Sequence, residues 1–186
     1  MKYIIFILTI ITIGVTSCSP PKGFVLRKTF RQTKTSDKYI RVLIFKTKFP
    51  VKIASSKKLR ISTSDRGRIL FEGIQKRVVF KPERLGDQVI VESFGSPIIL
   101  NKRKYRGYFE LHKQLGRLIV VNVVPLEQYI QSVVPSEVPA RWPMETLKAQ
   151  AVAARTFAVH HLMNNRKHDL YNLDATSKFQ MYKGIS

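Results

Sequence analysis

From residue 39 onward, short runs of β-branched and aromatic residues are separated by turn signals. YIRVLIF (39–45), VKIA (51–54), KLRIS (58–62), RILFEG (68–73), RVVFK (77–81), QVIVES (88–93), PIIL (97–100), GYFELH (107–112) and RLIVVNVV (117–124) all read as strands. The breaks between them carry Asp65-Arg66-Gly67, Leu85-Gly86-Asp87, Phe94-Gly95-Ser96-Pro97 and Gly116. Alternation at Arg41-Val42 and Phe109-Glu110-Leu111 suits sheets with one wet face, so this half is expected to be mostly antiparallel β.

At Pro125 the period changes. Leu126, Tyr129, Ile130 and Val133 recur at helical spacing, with proline at a plausible first position and Glu127 in the first turn. The stretch VVPSEVPARWP (133–143) follows, and Pro135, Pro139 and Pro143 divide it into short, stiff pieces. Glu137 is therefore expected in a loop, held at one angle. Pro143 opens a longer helix whose apolar stripe is Leu147, Ala151, Ala154, Ala158 and Leu162. Alanine dominates that stripe, so the helix can approach its neighbour closely. The expected fold class is α+β, a mostly antiparallel β half followed by a helix–loop–helix unit carrying the E-x-P motif, with no internal repeat.

The N-terminus adds a destination. MKYIIFILTIITIG is basic at Lys2 and then apolar to Gly14, too short for a membrane-spanning helix of about 20 residues and suited to a signal-peptide h-region. The only cysteine, Cys18, follows Val15-Thr16-Ser17. Small residues before a lone cysteine resemble a bacterial lipobox, in which the thiol is lipidated and begins the mature chain. The expected organisation is a lipoprotein signal peptide at 1–17, a polar basic tether at 18–38 and one domain at 39–186. The expected localisation is the bacterial cell envelope, as an exported, membrane-anchored lipoprotein.

Charge changes the list of partners. Lys and Arg number 33 against 12 Asp and Glu, a formal net charge of +21. Polyanions are favoured: nucleic acid, anionic headgroups or an acidic wall polymer. Export argues against nucleic acid, for which no motif is recognised. A lipidated Cys18 leaves no thiol for a disulfide, a metal or nucleophilic attack. His160 and His161 are adjacent and point about 100° apart on a helix, unlike a zinc-binding i, i+4 pair. His112 and His168 lack companions at ligand spacing, so neither metal nor cofactor is expected.

For chemistry, the residues offer one braced carboxylate with cations behind it. Lys148 and Arg155 share a helix face, and Thr146 and Gln150 form a polar pair at i, i+4. Glu137 near two cations is either a structural ion pair or a proton-transfer group. The second role needs partial burial, so that the carboxyl can hold a proton to donate. Glu127 and Glu145 suit the first turns of their helices.

Three segments carry a family resemblance: KYRGYFEL (104–111), the run VVPSEVPARWPMETLKAQAVAARTFA within 118–159, and D-x-T-x-x-x-Q-x-Y-x-G at 174–184. Together they resemble the SpoIID/LytB domain. That resemblance implies either a lytic transglycosylase acting on peptidoglycan glycan strands stripped of stem peptides or an enhancer of a cell-wall amidase. It implies Glu137 as the catalytic acid, supported by Lys148 and Arg155. Gln150, Gln180 and Tyr182 then join them as substrate-binding candidates. It also implies further strands and a glycine-rich stretch after Gly184, so the C-terminal part of the domain is expected to be missing.

A solitary carboxylate is enough for that chemistry. Glycosidases generally pair two carboxyl groups, whereas a lytic transglycosylase uses the sugar's own C6 hydroxyl as nucleophile and leaves a 1,6-anhydro-MurNAc end. Arg155 either holds the lactyl carboxylate of MurNAc through paired hydrogen bonds or ties its helix to a neighbouring carbonyl or acid. Trp142 either stacks on sugar, belongs to the core or staples the start of the second helix. The alternative overall is a non-catalytic peptidoglycan-binding protein or amidase enhancer of the same fold.

Overall fold

The computed structural model describes residues 38–64, 66–74, 77–86, 88–165 and 169–185. The signal segment, Cys18, nearly all of the tether and His168 lie outside the described residues. The strands are β1 (Tyr39–Thr47), β2 (Val51–Ala54), β3 (Leu59–Thr63), β4 (Ile69–Gly73), β5 (Val78–Phe80), β6 (Gln88–Ser93), β7 (Ile98–Leu100), β8 (Arg103–Tyr105), β9 (Tyr108–Gln114), β10 (Arg117–Pro125) and β11 (Leu173–Asp174). Two helices, α1 (Leu126–Glu137) and α2 (Met144–Asn164), follow β10. The fold is α+β.

A seven-stranded sheet has the order β11-β1-β10-β9-β6-β3-β4, and a four-stranded sheet the order β5-β2-β7-β8. Every pairing is antiparallel except that of β11 with β1. The main core draws Ile53, Ile98 and Leu100 from the small sheet, Leu59, Phe109 and Leu111 from the large one, and Tyr129, Val133, Ala154 and Ala158 from the helices.

β10 explains its own sequence. Leu118, Val120 and Val124 face the main core, while Ile119, Val121 and Val123 join Leu43 in a second apolar cluster on the opposite face. A strand covered on both faces reads as a continuous apolar run rather than an alternation. Its one polar interior residue, Asn122, is fully buried.

β10 passes directly into α1, with Pro125 (φ −55°) at the N-cap and the Leu126 amide donating to the Lys38 carbonyl at 2.8 Å. The expected loop at Pro135 does not form: α1 continues through it to Glu137. An interior proline loses one helical hydrogen bond and costs about 3 kcal/mol. Burial of Leu126, Tyr129, Ile130 and Val133 on one side of α1 offsets that cost. On α2 only Ala154 and Ala158 are buried, and Leu147, Ala151 and Leu162 are half-buried beside them.

After α2 the chain returns to both sheets. The Asn172 amide donates to the Arg41 carbonyl, and the Arg41 amide donates to Asn172 Oδ1, each at 2.8 Å. The Ile185 amide donates to the Lys104 carbonyl at 2.7 Å at the edge of the small sheet. Gly184 (φ +81°) makes that contact possible, since a Cβ there would stand 2.3 Å from the Lys104 oxygen.

Candidate functional site

Glu137 is the last residue of α1, and Val138 (φ −131°) leaves the helix while its amide still donates to the Val134 carbonyl at 3.0 Å. The Trp142 amide donates to the Pro139 carbonyl at 3.0 Å, and Pro143 (φ −52°) caps α2. Pro139 and Pro143 thus bracket the link between the helices, with Glu137 at its entrance. The side chain is exposed, so the partial burial expected of a proton donor is absent from this state of the chain. A carboxylate at a helix C-terminus also meets the negative end of the dipole. What holds it is the Met181 amide, which donates to Glu137 Oε1 across the sequence. Among the described residues no hydrogen bond engages Oε2.

Met181 is fixed by its neighbours. Gln180 and Tyr182 are buried, with their polar ends engaged inside the fold. The Tyr129 hydroxyl donates to Gln180 Oε1 at 3.0 Å, and Gln180 Nε2 donates to the Ala154 carbonyl at 3.3 Å. The Tyr182 hydroxyl donates to Asn122 Oδ1 at 2.7 Å, while Asn122 Nδ2 donates to the Arg106 and Tyr108 carbonyls, both at 3.0 Å. The Tyr182 ring lies 5.1 Å from that of Tyr129 and 5.9 Å from that of Tyr105. These two candidates therefore tie the tail to α1, α2 and β10. Tyr182 also borders a cleft of about 430 Å3, shared with Arg103, Met181 and Lys183.

Burial pushes the Tyr129 hydroxyl well above the usual phenol range, and the negative charges of Glu137 and Asp174 add to it. Burial likewise raises Tyr182, with the neighbouring Tyr105 and Tyr129 contributing. Both phenols stay neutral donors. Asp174 is thus a second acid whose charge reaches the Tyr129 hydroxyl, but its Oδ1 accepts from the Thr176 amide at 2.8 Å and from the Thr176 hydroxyl.

The two cations have partners of their own. Arg155 Nε and Nη2 donate to the two oxygens of Glu127 at 2.8 and 2.7 Å, tying α2 to the first turn of α1. Of the two roles open to Arg155, the chain by itself displays the tie to an acid. The Arg155 guanidinium holds the Glu127 carboxyl below its ordinary range. Lys148 Nζ donates to Glu145 Oε1 at 2.8 Å on an exposed stretch of the same helix. Gln150 is half-buried on α2, and Trp142 is 46% exposed at the head of that helix rather than in the core.

His161 packs against Phe157 and Phe179, with ring centroids 4.5 and 5.2 Å apart, and its imidazole is lowered by burial and by the neighbouring His160. His112 lies 3.2 Å from Glu110. No group of three or more His, Cys, Asp or Glu that could hold a metal occurs among the described residues.

Asn122 and Met181 were not among the residues singled out from the sequence. Asn122 had a signal, a lone amide inside an apolar strand, since a buried side-chain amide implies waiting partners. Met181 had none, because its backbone makes the contact.

The family model of the stage II sporulation protein SpoIID matches residues 114–186. An uncharacterized protein of Brachyspira hyodysenteriae is 36% identical over 113 residues, which is 60% of this chain and 31% of that protein. The stage II sporulation protein D of Bacillus subtilis is 46% identical over 66 residues, 34% of this chain and 19% of the relative. The amidase enhancer of Bacillus subtilis is 39% identical over 57 residues, 31% of this chain and 7% of the relative. The chain thus spans 31% or less of the length of these relatives. No solved structure matches. α1, the Glu137 turn, α2 and the returning tail all lie inside the matched segment, so it is the site-bearing part of the chain that is similar to the SpoIID family.

Proposed function

We propose that this protein remodels the bacterial cell wall by cleaving peptidoglycan glycan strands as a lytic transglycosylase, with Glu137 as its acid and base. The observation that carries the reading is the posture of Glu137: one oxygen engaged by the Met181 amide, the other open to solvent at a proline-bracketed helix end. Oriented in that way, a protonated Oε2 donates to the glycosidic oxygen between MurNAc and GlcNAc as the C1–O bond breaks. The C6 hydroxyl oxygen of the same MurNAc closes on C1, and its proton passes to the Glu137 carboxylate. The products are a 1,6-anhydro-MurNAc end and a free GlcNAc hydroxyl, with the carboxyl returned to its starting state and no water consumed. In this reading Lys148 and Arg155 exchange their acidic partners for the strand's lactyl carboxylates, and Gln150 contributes from the same helix. The lipidated Cys18 holds the protein to a membrane of the envelope.

A second reading rests on a specific observation: Lys148 and Arg155 are already paired with Glu145 and Glu127. A surface of satisfied ion pairs suits a protein that binds the wall or modulates an amidase without cutting. Mass spectrometry of the products released from peptide-stripped strands by the full chain and by Glu137→Gln separates the two. Anhydro-MurNAc ends from the native chain, reduced at least about 100-fold by the substitution, support the enzyme. No ends from either protein, together with stimulation of a wall amidase, support the second reading and overturn the first.

A further inference from the structure

Away from Glu137, at the opposite end of α1, the β6–β7 turn, the β8–β9 turn and the first turn of α1 enclose an open cleft of about 490 Å3. Glu137 lies nine positions after Gln128, which is on the cleft's rim, a distance of about 13.5 Å along the helix axis. Aromatic side chains lie in its walls with their rings partly in solvent: Tyr39 is 53% exposed, Phe94 is 44% exposed, and Tyr108 is half-buried. Arg60 lies over the Phe94 ring at 4.7 Å and Arg66 over the Tyr108 ring at 4.8 Å, so one face of each is taken, and a sugar's C–H face would meet Tyr39 and the ring surface left exposed.

The polar groups of the cleft are few and differ in kind. Glu92 is paired with Arg66 at 3.2 Å. Arg106, by contrast, has no carboxylate within salt-bridge distance among the described residues, so the cleft carries an uncompensated cation. Ser93 and Ser96 accompany these groups, their hydroxyls 3.1 Å apart and each bonded to buried Ser55, at 2.7 and 2.8 Å.

Both turns are fixed. Gly107, between Arg106 and Tyr108, has φ +76°, and a Cβ there would lie 2.0 Å from the Val123 carbonyl oxygen. The β8–β9 turn is thus pressed against β10 with no room for a side chain. The Arg106 and Tyr108 carbonyls are both held by Asn122, whose other end binds Tyr182 beside Met181. The cleft and the Glu137 anchor are therefore built on one hydrogen-bonded frame.

We propose that this cleft is a second binding site, for a saccharide bearing a carboxylate, in which the exposed rings receive the sugar and Arg106 pairs with the acid. The inference rests on the glycan-strand reading above for its natural ligand, but its binding chemistry does not require Glu137. A strand seated here is held at a distance from the point of cleavage, so the site acts on long strands and not on short ones.

The test measures binding of the full chain, in detergent, to soluble peptide-stripped glycan strands. Neutral N-acetylglucosamine oligomers and polyphosphate serve as comparison ligands. Arg106→Gln is expected to weaken strand binding about tenfold, as loss of a charge-assisted pair should. Phe94→Ala is expected to weaken strand binding while leaving polyphosphate unaffected, and neutral oligomers are expected to bind more weakly than strands. Thermal unfolding accompanies each variant, and Tyr39→Phe, which keeps the ring, serves as a conservative control that retains binding. Strand binding unchanged in Arg106→Gln, or equal affinity for neutral oligomers, would overturn the site. Arg106-dependent binding without anhydro ends leaves the site standing and sinks the transglycosylase. Anhydro ends with Arg106-independent binding do the reverse.

Discussion

Two polar centres sit within one continuous frame and are built in opposite ways. Around Asn122 every polar atom is enclosed: the amide meets two carbonyls and a phenol, and the phenol rings pack on one another. Around Glu137, Lys148 and Arg155 the partners are partly or fully open to water, and Glu137 Oε2 has none among the described residues. Enclosed hydrogen bonds are costly to break because the orphaned group stays buried, whereas exposed ion pairs are cheap to break because water replaces the partner. The first centre fixes geometry, and the second is free to trade its partners for a ligand.

The sharpest way to break this contrast is Asn122→Ala, which orphans the Tyr182 hydroxyl and two backbone carbonyls. A loss of about 3 kcal/mol is expected in denaturant unfolding, and a loss under about 0.5 kcal/mol would show that the centre is hydrated. Tyr182→Phe removes one bond and keeps the ring, so a smaller loss of about 1 kcal/mol is expected. A double-mutant cycle with Asn122→Ala should show strong coupling between the two sites.

Arg155→Ala should cost about 0.5 kcal/mol, since the Glu127 pair is more than a third exposed and screened. The same pair makes an acid limb. The Glu127 carboxyl lies below its ordinary value of 4.5 in the folded chain. Its contribution is therefore present above that value and fades as pH falls through the depressed folded one. Urea midpoints should show Glu127→Gln flattening the acid side of the stability profile, and an unchanged profile would remove the pair from the account. Lys148→Ala should change stability least, by no more than a few tenths of a kcal/mol. Any loss of product formation in that variant then reports on the strand and not on the fold.

Much of the β half was legible because its strands carry their reason locally, as β-branched runs between glycine-bearing turns. β8 and β11 were not. Arg103-Lys104-Tyr105 has only one buried residue, and Leu173-Asp174 is a strand only because β1 lies beside it. The helical course of Pro135 was hidden for a related reason, since the packing that overrides a proline is tertiary. At the candidate site Glu137 and its flanking prolines were visible, but its partner was a backbone amide. The Q-x-Y alternation at Gln180 and Tyr182 marked them as notable without saying that both turn inward. Arg155 was readable as a cation on a face, and only the crossing of α1 and α2 selects Glu127 for it.

The Glu137–Met181 contact spans 44 residues, Asn122–Tyr182 spans 60 and Arg41–Asn172 spans 131. The segment that fixes Glu137 follows all these partners in sequence and emerges from the ribosome after them. Contacts of such long range bear the largest loop-closure cost and tend to form late. The sheets and α1 can therefore assemble while Glu137 still lacks its amide partner, and the carboxylate acquires a fixed direction only when the tail docks. In the folding order of this chain, the competence of its candidate site is a late event.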